Sequence, residues 1–356
     1  MQKKFDLKDV DAVLIYNEGE PFTDLNFFYF TGLLDSGLFE GSYYIFTGDR
    51  EVIVTSELEE LSAKKSGMEI KIFKNQNEKD EILKSLLNNK RKIGISFSNI
   101  SYKAYSNLKN KFENLEFIDI TERINEMRMI KDDFEIDILK EAAKIASDVA
   151  EDIIDYIKEG MKEKELAAEL TYLLMKNGAQ ENAFTPIIAF GENSAEPHYF
   201  SGDRKLKRGD FILMDFGARY RKYNSDITRT YFFGKANEKQ RKMYEIVYNA
   251  QKIGIEMIKE GISGKDVDLE ARKYIDSTEF KGLFIHSLGH GVGLAVHDHA
   301  ALSPSSNLIL KENMIVTVEP GVYLKGFGGV RIEDDVVVKK EGHDVISYAN
   351  KELTEL

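Results

Sequence analysis

Short apolar runs alternate with helical stretches along the first ~120 residues. Asp11 to Tyr16, Tyr43 to Phe46, Val52 to Thr55, Ile70 to Phe73, Ile93 to Ser96 and Phe117 to Ile120 read as strands, and together they predict an α/β domain on a mixed sheet. From Asp132 to Lys158 the pattern turns helical. Phe134, Ile138, Leu139, Ala142, Ile145, Ala146, Val149, Ile153 and Ile157 recur at three- and four-residue spacing, with Gly160 placed as a C-cap. A second domain is expected to start near residue 123, which divides the chain into 1–122 and 123–356.

Within the second domain a short stretch returns. Ile157-Lys158-Glu159-Gly160-Met161 reappears as Ile258-Lys259-Glu260-Gly261-Ile262, each ending one helix ahead of another. Each helix pair leads into a β region, first Phe211 to Phe233 and then Met314 to Val338. Lys-Glu-Gly after a helix is ordinary capping chemistry by itself. The repeated helix-helix-sheet order goes further and predicts a pseudo-twofold domain whose sheets meet at the middle.

Both β regions carry acids where apolar residues would be expected. Asp215 interrupts Phe211-Ile212-Leu213-Met214-Asp215-Phe216-Gly217, and a polar turn of eight residues leads to Asp226 at the head of Asp226-Ile227-Thr228-Arg229-Thr230. Glu319 follows Ile315-Val316-Thr317-Val318, and Glu333 follows Val330-Arg331-Ile332. A lone acid in a strand is usually solvated or salt-bridged. Four in matched places would converge under the pseudo-symmetry, repel one another and take up protons unless cations neutralised them. A pair of metal ions is the economical answer.

Six histidines sharpen the reading. His290 lies in Ser287-Leu288-Gly289-His290-Gly291-Val292-Gly293, where glycines allow close backbone approach, and it is the expected nitrogen ligand. His297, seven residues on, and His198, in the loop Ser194-Ala195-Glu196-Pro197-His198-Tyr199, are candidates for touching substrate. His286 is a candidate to support a ligand, and His299 and His343 receive no role. The first ~120 residues contain no histidine and no glycine-rich phosphate loop, so assembly and covering a site are their expected jobs.

Composition narrows the chemistry. With no cysteine, thiolate sites and thiol nucleophiles are excluded, and any metal must be held by histidine and carboxylate. A net charge of -12 argues against a nucleic-acid-binding face. No apolar run approaches the ~20 residues of a membrane span, and the expectation is a soluble cytoplasmic protein.

The run from Asn193-Ser194-Ala195-Glu196-Pro197-His198 through Asp215-Phe216-Gly217, Ser225-Asp226-Ile227-Thr228-Arg229-Thr230, His286-Ser287-Leu288-Gly289-His290-Gly291-Val292-Gly293, Val318-Glu319-Pro320-Gly321 and Val330-Arg331-Ile332-Glu333-Asp334 resembles the prolidase and aminopeptidase P branch of the pita-bread metallopeptidases. The resemblance spans nearly the whole chain. It implies an α/β (α+β) protein, with a creatinase-like N-terminal domain followed by a pita-bread catalytic domain. It further implies Asp215, Asp226, His290, Glu319 and Glu333 as metal ligands, with Asp226 and Glu333 bridging two ions and His198 and His297 flanking the scissile carbonyl.

The implied activity is cleavage of an N-terminal Xaa-Pro bond by a hydroxide bridging two divalent metals. Proline suits such equipment, because its tertiary amide has no N–H for an ordinary protease to hold. Glu319 would shuttle the water's proton to the proline nitrogen, His297 would hold the oxyanion and His198 would position the substrate. Manganese is favoured by the oxygen-rich ligands, with Co²⁺, Zn²⁺ and Fe²⁺ also accommodated. Short peptides with proline second are the expected partners, and relatives are commonly homodimers.

Related dipeptidases often read His-Glu-x-Pro-Arg after the ligand loop, whereas this chain reads His297-Asp298-His299-Ala300-Ala301. Loss of that arginine favours an aminopeptidase acting on longer peptides, with a strict dipeptidase as the alternative; His299, Arg331 or Lys325 would then have to supply the charge. A creatinase-like amidinohydrolase does without the metal cluster, and methionine aminopeptidase would leave the first domain unexplained. A non-catalytic binding module of this fold would show eroded ligand positions, and none is eroded.

Overall fold

In a computed structural model of the chain, which describes residues 3, 5–35 and 37–356, strands form where the apolar runs lie. They are β1 (Ala12–Asn17), β2 (Ser42–Phe46), β3 (Glu51–Ser56), β4 (Glu69–Phe73), β5 (Lys92–Ile95) and β6 (Glu116–Asp119), each within a residue of its expected bounds. One sheet takes them in the order β4-β3-β2-β1-β5-β6. β1–β2 and β2–β3 pair antiparallel and the other neighbours parallel, so the sheet is mixed as expected. Helices α1 (Leu25–Thr31), α2 (Glu60–Ala63), α3 (Gln76–Leu86) and α4 (Tyr102–Lys111) complete this unit. Leu83 of α3 and Leu108 of α4 share a core with Leu14, Ile45, Val54 and Ile93.

The chain divides into two compact units, residues 1–127 and 128–356, with the division inside α5 (Thr121–Met129). The second unit opens with α6 (Asp133–Asp152), capped by Asp132, whose side chain accepts from the Glu135 amide while Glu135 reaches back to the Asp132 amide. The periodicity predicted helix to Lys158. The α-helix instead ends at Asp152 and tightens into a 3₁₀ turn over Ile153–Tyr156, so Gly160 caps no α-helix. Then follow α7 (Glu163–Lys176), β7 (Glu181–Asn182), β8 (Ile187–Phe190), β9 (Phe211–Phe216), β10 (Ala218–Tyr220), β11 (Tyr223–Asn224) and β12 (Ile227–Phe232). The second half runs α8 (Glu238–Met257), α9 (Gly264–Asp276), β13 (Gly289–His290), β14 (Ala301–Leu302), β15 (Ile315–Val318), β16 (Gly321–Leu324), β17 (Gly328–Arg331), β18 (Asp334–Lys339) and β19 (Gly342–Val345).

Backbone hydrogen bonds bear the duplication out. The Gly160 amide donates to the Leu206 carbonyl and the Leu206 amide to Met161; in the second half Gly261 donates to Leu310 and Leu310 to Ile262. Both glycines sit at positive φ, 81° and 85°, where a side chain would be strained. Each half has its own core. Ile145, Val149, Leu166 and Leu170 of α6 and α7 pack with Ile212, Met214 and Phe216 of β9, and Val247, Val267 and Ile275 of α8 and α9 with Val316, Val318 and Val336. Antiparallel ladders join β12-β9-β8 in one half and β15-β18-β19 in the other.

The halves are tied by Arg229 of β12, 1% exposed at its side chain, which donates to Asp334 of β18 at 2.8 Å and to the carbonyls of Glu333 and Ala349. Asp334 also accepts from Gln251 and Lys351. Arg229→Met should lower folding stability by about 3 kcal/mol, because buried carbonyls lose their donors while Asp334 keeps other partners. Urea unfolding followed by circular dichroism measures it, and a loss under about 1 kcal/mol would show that the tie is dispensable.

Candidate metal centre

Strand alternation aims the acids. In β9, Ile212, Met214 and Phe216 enter the helix-side core, which leaves Asp215 on the opposite face. Asp215 is inside a strand, as expected, whereas Asp226 immediately precedes β12, Glu319 follows β15 and Glu333 precedes β18. At these strand ends the ladder is relaxed and side chains can turn inward. The polar turn between Asp215 and Asp226 contains a two-residue hairpin, β10–β11, in which Arg221 and Lys222 both take positive φ. Two glycines permit the closeness of the walls. A Cβ on Gly217 would lie 1.9 Å from the Ser225 carbonyl oxygen, and one on Gly289 would lie 1.9 Å from that of Thr317.

All seven site residues named from the sequence line one cavity of about 770 Å³. Ligating atoms of Asp226, His290 and Glu333 lie within 4.8 Å of one another. The His290 Nε2 stands 3.6 Å from Asp226 and 3.4 Å from Glu319. Its Nδ1 faces the Gly291 carbonyl at 3.0 Å, which assigns the ring proton to Nδ1 and leaves the Nε2 lone pair directed at the acids. Burial, with His297 close by, pushes the His290 pKa down to about 4, so the ring is neutral at pH 7. The His297 ring meets that of His290 edge-on, with centroids 4.2 Å apart.

Burial and then mutual repulsion hold the Asp226 and Glu333 carboxyls well above the usual range. Glu319 is pushed up to about 8, chiefly by burial. Thr228 donates to Glu333 at 2.6 Å, Thr317 donates to Glu319 at 3.2 Å, and Arg331 pairs with Asp215. Yet the Oδ1 atoms of Asp215 and Asp226 are buried without a hydrogen-bond partner. One guanidinium cannot neutralise four buried carboxylates. The oxygen-rich set and its orphaned oxygens fit divalent cations, whereas cysteine-based sites are excluded by composition.

Loops carrying the two outer histidines are anchored. Buried Glu163, first residue of α7, accepts from the amides of Phe190 and Gly202, from Asn193 and from the Tyr199 hydroxyl, all at 2.9 to 3.0 Å, and so fixes the loop bearing His198. Asp298, next to His297, is buried against Arg128 at 2.8 Å while its amide donates to Gly291.

Sequence reasoning passed over several partners. The Tyr323 hydroxyl meets His286 Nε2 and Arg331, each at 2.8 Å, and burial with Arg331 alongside lowers the His286 pKa to about 3. Asp335 accepts from the Asp226 amide at 3.0 Å, and burial raises its carboxyl to about 8. Thr228 and Asp335 carry a readable signal, each lying two residues beyond a site acid, Asp226 and Glu333.

A model of metallopeptidase family M24 matches residues 137–340, and one of the creatinase/prolidase N-terminal domain matches residues 1–130. The chain belongs to metallopeptidase family M24. This M24 protein is 40% identical to the Xaa-Pro dipeptidase of Pyrococcus furiosus over 352 residues, covering 99% of this chain and 97% of that one. Among solved structures, X-Pro aminopeptidase from Thermotoga maritima superposes with a TM-score of 0.92 at 34% identity, over 98% of each chain. Prolidase from Pyrococcus furiosus gives 0.86 at 39% identity, over 96% of this chain and 98% of that one. As an M24 metallopeptidase the chain is a hydrolase of the pita-bread fold, and divalent-metal dependence comes with the family. Among the described residues no helix is long and apolar enough to cross a membrane.

The buried acids set a pH dependence for the metal-free M24 protein. Carboxyls raised in the folded state bind protons that the unfolded chain, with pKa near 4, has released, so their stabilising effect is complete below about pH 4 and lost as pH rises towards 8. Chelated protein should therefore resist urea better at pH 6 than at pH 8.5. Added Mn²⁺ should reverse the slope, since metal binding favours deprotonated ligands. Unfolding midpoints across that range with and without chelator check this, and parallel slopes would mean that the acids do not bind the ion.

Proposed function

We propose that the protein is an Xaa-Pro dipeptidase that uses two divalent ions held by Asp215, Asp226, His290, Glu319 and Glu333, with Asp226 and Glu333 shared between them. The convergence of these five side chains in one cavity carries the metallopeptidase part of the reading. The dipeptidase part is supported by relatives named for it at nearly full length. It replaces the expectation of an aminopeptidase for longer peptides, which rested on the missing arginine alone.

Bound there, the ions supply Lewis acidity, which acidifies water and polarises the scissile carbonyl. The protein's own groups do the rest. Glu319, the acid beside His290 and Thr317, receives the water's proton and passes it to the departing proline nitrogen. His297 donates to the carbonyl oxygen as it gains charge, and His198 orients the substrate from the facing loop. Phe184, Ile187, Phe200 and Val296 line the same cavity and offer apolar surface to the first side chain and the proline ring. Manganese, a homodimer and the cytoplasm complete the reading.

The aminopeptidase keeps one observation in its favour. Ala301 does line the cavity, and the substitutes considered for its missing charge are engaged or absent: Arg331 is held by Asp215 and Tyr323, His299 lies against Asp298, and Lys325 is not among the lining residues. Steady-state kinetics of manganese-loaded protein on Ala-Pro, Ala-Pro-Ala and a proline-second pentapeptide separate the two. A dipeptidase should show kcat/KM for Ala-Pro at least about tenfold above the longer peptides, a difference of ~1.4 kcal/mol in transition-state binding. Comparable values would return the assignment to the aminopeptidase, and equal turnover by chelated protein would remove the metal from it.

His297→Ala should lower kcat by about 100-fold or more with metal content intact, as loss of one oxyanion donor does elsewhere. Elemental analysis of the purified variant beside its kinetics distinguishes this role from ligation, which loss of metal would reveal.

A further inference from the structure

Strands β1 and β2 and helices α3 and α4 of the first unit line a second cavity of about 660 Å³, within the range of small-molecule sites. On its wall the rings of Tyr16 and Tyr43 stack with centroids 4.3 Å apart and planes 15° from parallel. Lys79 of α3 also lines the cavity although the residue is only 9% exposed. Its ammonium lies 5.0 Å from the Phe73 ring centroid and 5.9 Å from that of Tyr43, with no salt bridge or hydrogen bond to it among the described residues; the acid whose charge reaches it is Asp80.

The neighbouring acids are already occupied. Lys111 is paired with Asp80, which also accepts from Gln76 at 2.6 Å. Both oxygens of Glu18 accept from Ser101, at 2.8 and 2.9 Å. Lys103, from the first turn of α4, is exposed and lines the same space without an ion pair among the described residues. Among the described residues two ammonium groups thus border the cavity without a salt bridge, one of them largely removed from water. A buried amine in that condition gives up its proton or is joined by an anion. Burial indeed lowers the Lys79 pKa, which a bound anion would restore.

The donor types choose among anions. A planar carboxylate gains most from the forked guanidinium of arginine, which is absent among the described lining residues, whereas lysine ammoniums are point-charge donors that suit the spread oxygens of a phosphate. The volume exceeds what a bare phosphate fills, and the tyrosine pair provides an aromatic platform. We propose that this cavity binds a phosphomonoester that also bears a planar ring, of the class of a nucleoside monophosphate, with Lys79 and Lys103 holding the phosphate and the ring lying against the tyrosines.

Isothermal titration of the full-length, metal-loaded protein with adenosine 5′-monophosphate, inorganic phosphate and adenosine tests it. The monophosphate should bind about tenfold or more tightly than either fragment, and Lys79→Met should weaken it about tenfold or more, as removal of a buried charge partner does. Lys103→Ala should weaken it less. Phosphate bound at the metal centre would be insensitive to Lys79→Met, so heat that persists unchanged in that variant overturns the proposal. Equal binding of adenosine or of inorganic phosphate overturns it too. Without ligand, Lys79→Met should unfold at the same urea concentration as the parent or a higher one; a lower midpoint would reveal a partner for the ammonium and likewise sink the assignment.

Discussion

Negative charge gathered on the largely buried wall of one cavity is the condition around which the second unit is arranged. Asp226 and Glu333 are 4% and 2% exposed, and Glu319 and Asp215 stand beside them. No fold would collect these groups for stability, because each carboxylate loses hydration and gains a repulsive neighbour. Partial relief comes from Thr228, Thr317 and Arg331. It stops short of satisfaction, with Asp215 and Asp226 each keeping an unmatched oxygen. Cations would complete the site in a way that further hydrogen bonds would not, since added protein donors would close the open coordination positions that a hydrolytic metal needs.

Duplication makes such a collection possible. A single half offers one strand-borne acid and one acid at a strand start, and the second half brings their counterparts into register. The crossing contacts are specific: the Glu333 amide donates to the Thr228 carbonyl, the Asp226 amide to the Asp335 carboxylate, and Arg229 spans to Asp334. Each links a residue of β12 or its first flank to β18 or its own. Symmetry is broken where chemistry needs it. His290 rises from the glycine-rich stretch of the second half, while the first half contributes His198 to the cavity from a loop pinned by Glu163. One imidazole among four carboxylates keeps the site hard, in keeping with oxygen-seeking ions.

The sheet strands of the first unit were legible because buried runs of four to six apolar residues between polar breaks have few alternative readings. Helix α6 was overextended because Ile153 and Ile157 continue the apolar spacing past Asp152, although the backbone there winds into a 3₁₀ turn. Helix α1 (Leu-Asn-Phe-Phe-Tyr-Phe-Thr) was not read at all. It is buried on nearly every side, so its periodicity carries no helical signature, and only Asp24 and Gly32 at its ends mark it. The acids and His290 stood out because they contradict their surroundings. Tyr323 and Thr317 do not, being ordinary residues for strands, and their part in the site arises from neighbours distant in sequence.

Charge inside the cavity bears on how substrate length is chosen. Among the described lining residues Arg331 is the one permanently cationic side chain, and it is spent on Asp215 and Tyr323. Burial keeps His286 and His290 neutral near pH 7. A dipeptide's carboxylate therefore meets no unengaged guanidinium or ammonium there, in contrast to a site with arginine in place of Ala301. On the proposed dipeptidase reading, selection for dipeptides would therefore be steric rather than electrostatic. Steric exclusion rejects longer peptides without tightening the grip on short ones. Ala301 and Ser303 line the cavity on one segment, and their small side chains add to its room, so on that reading the limit falls to the larger lining residues.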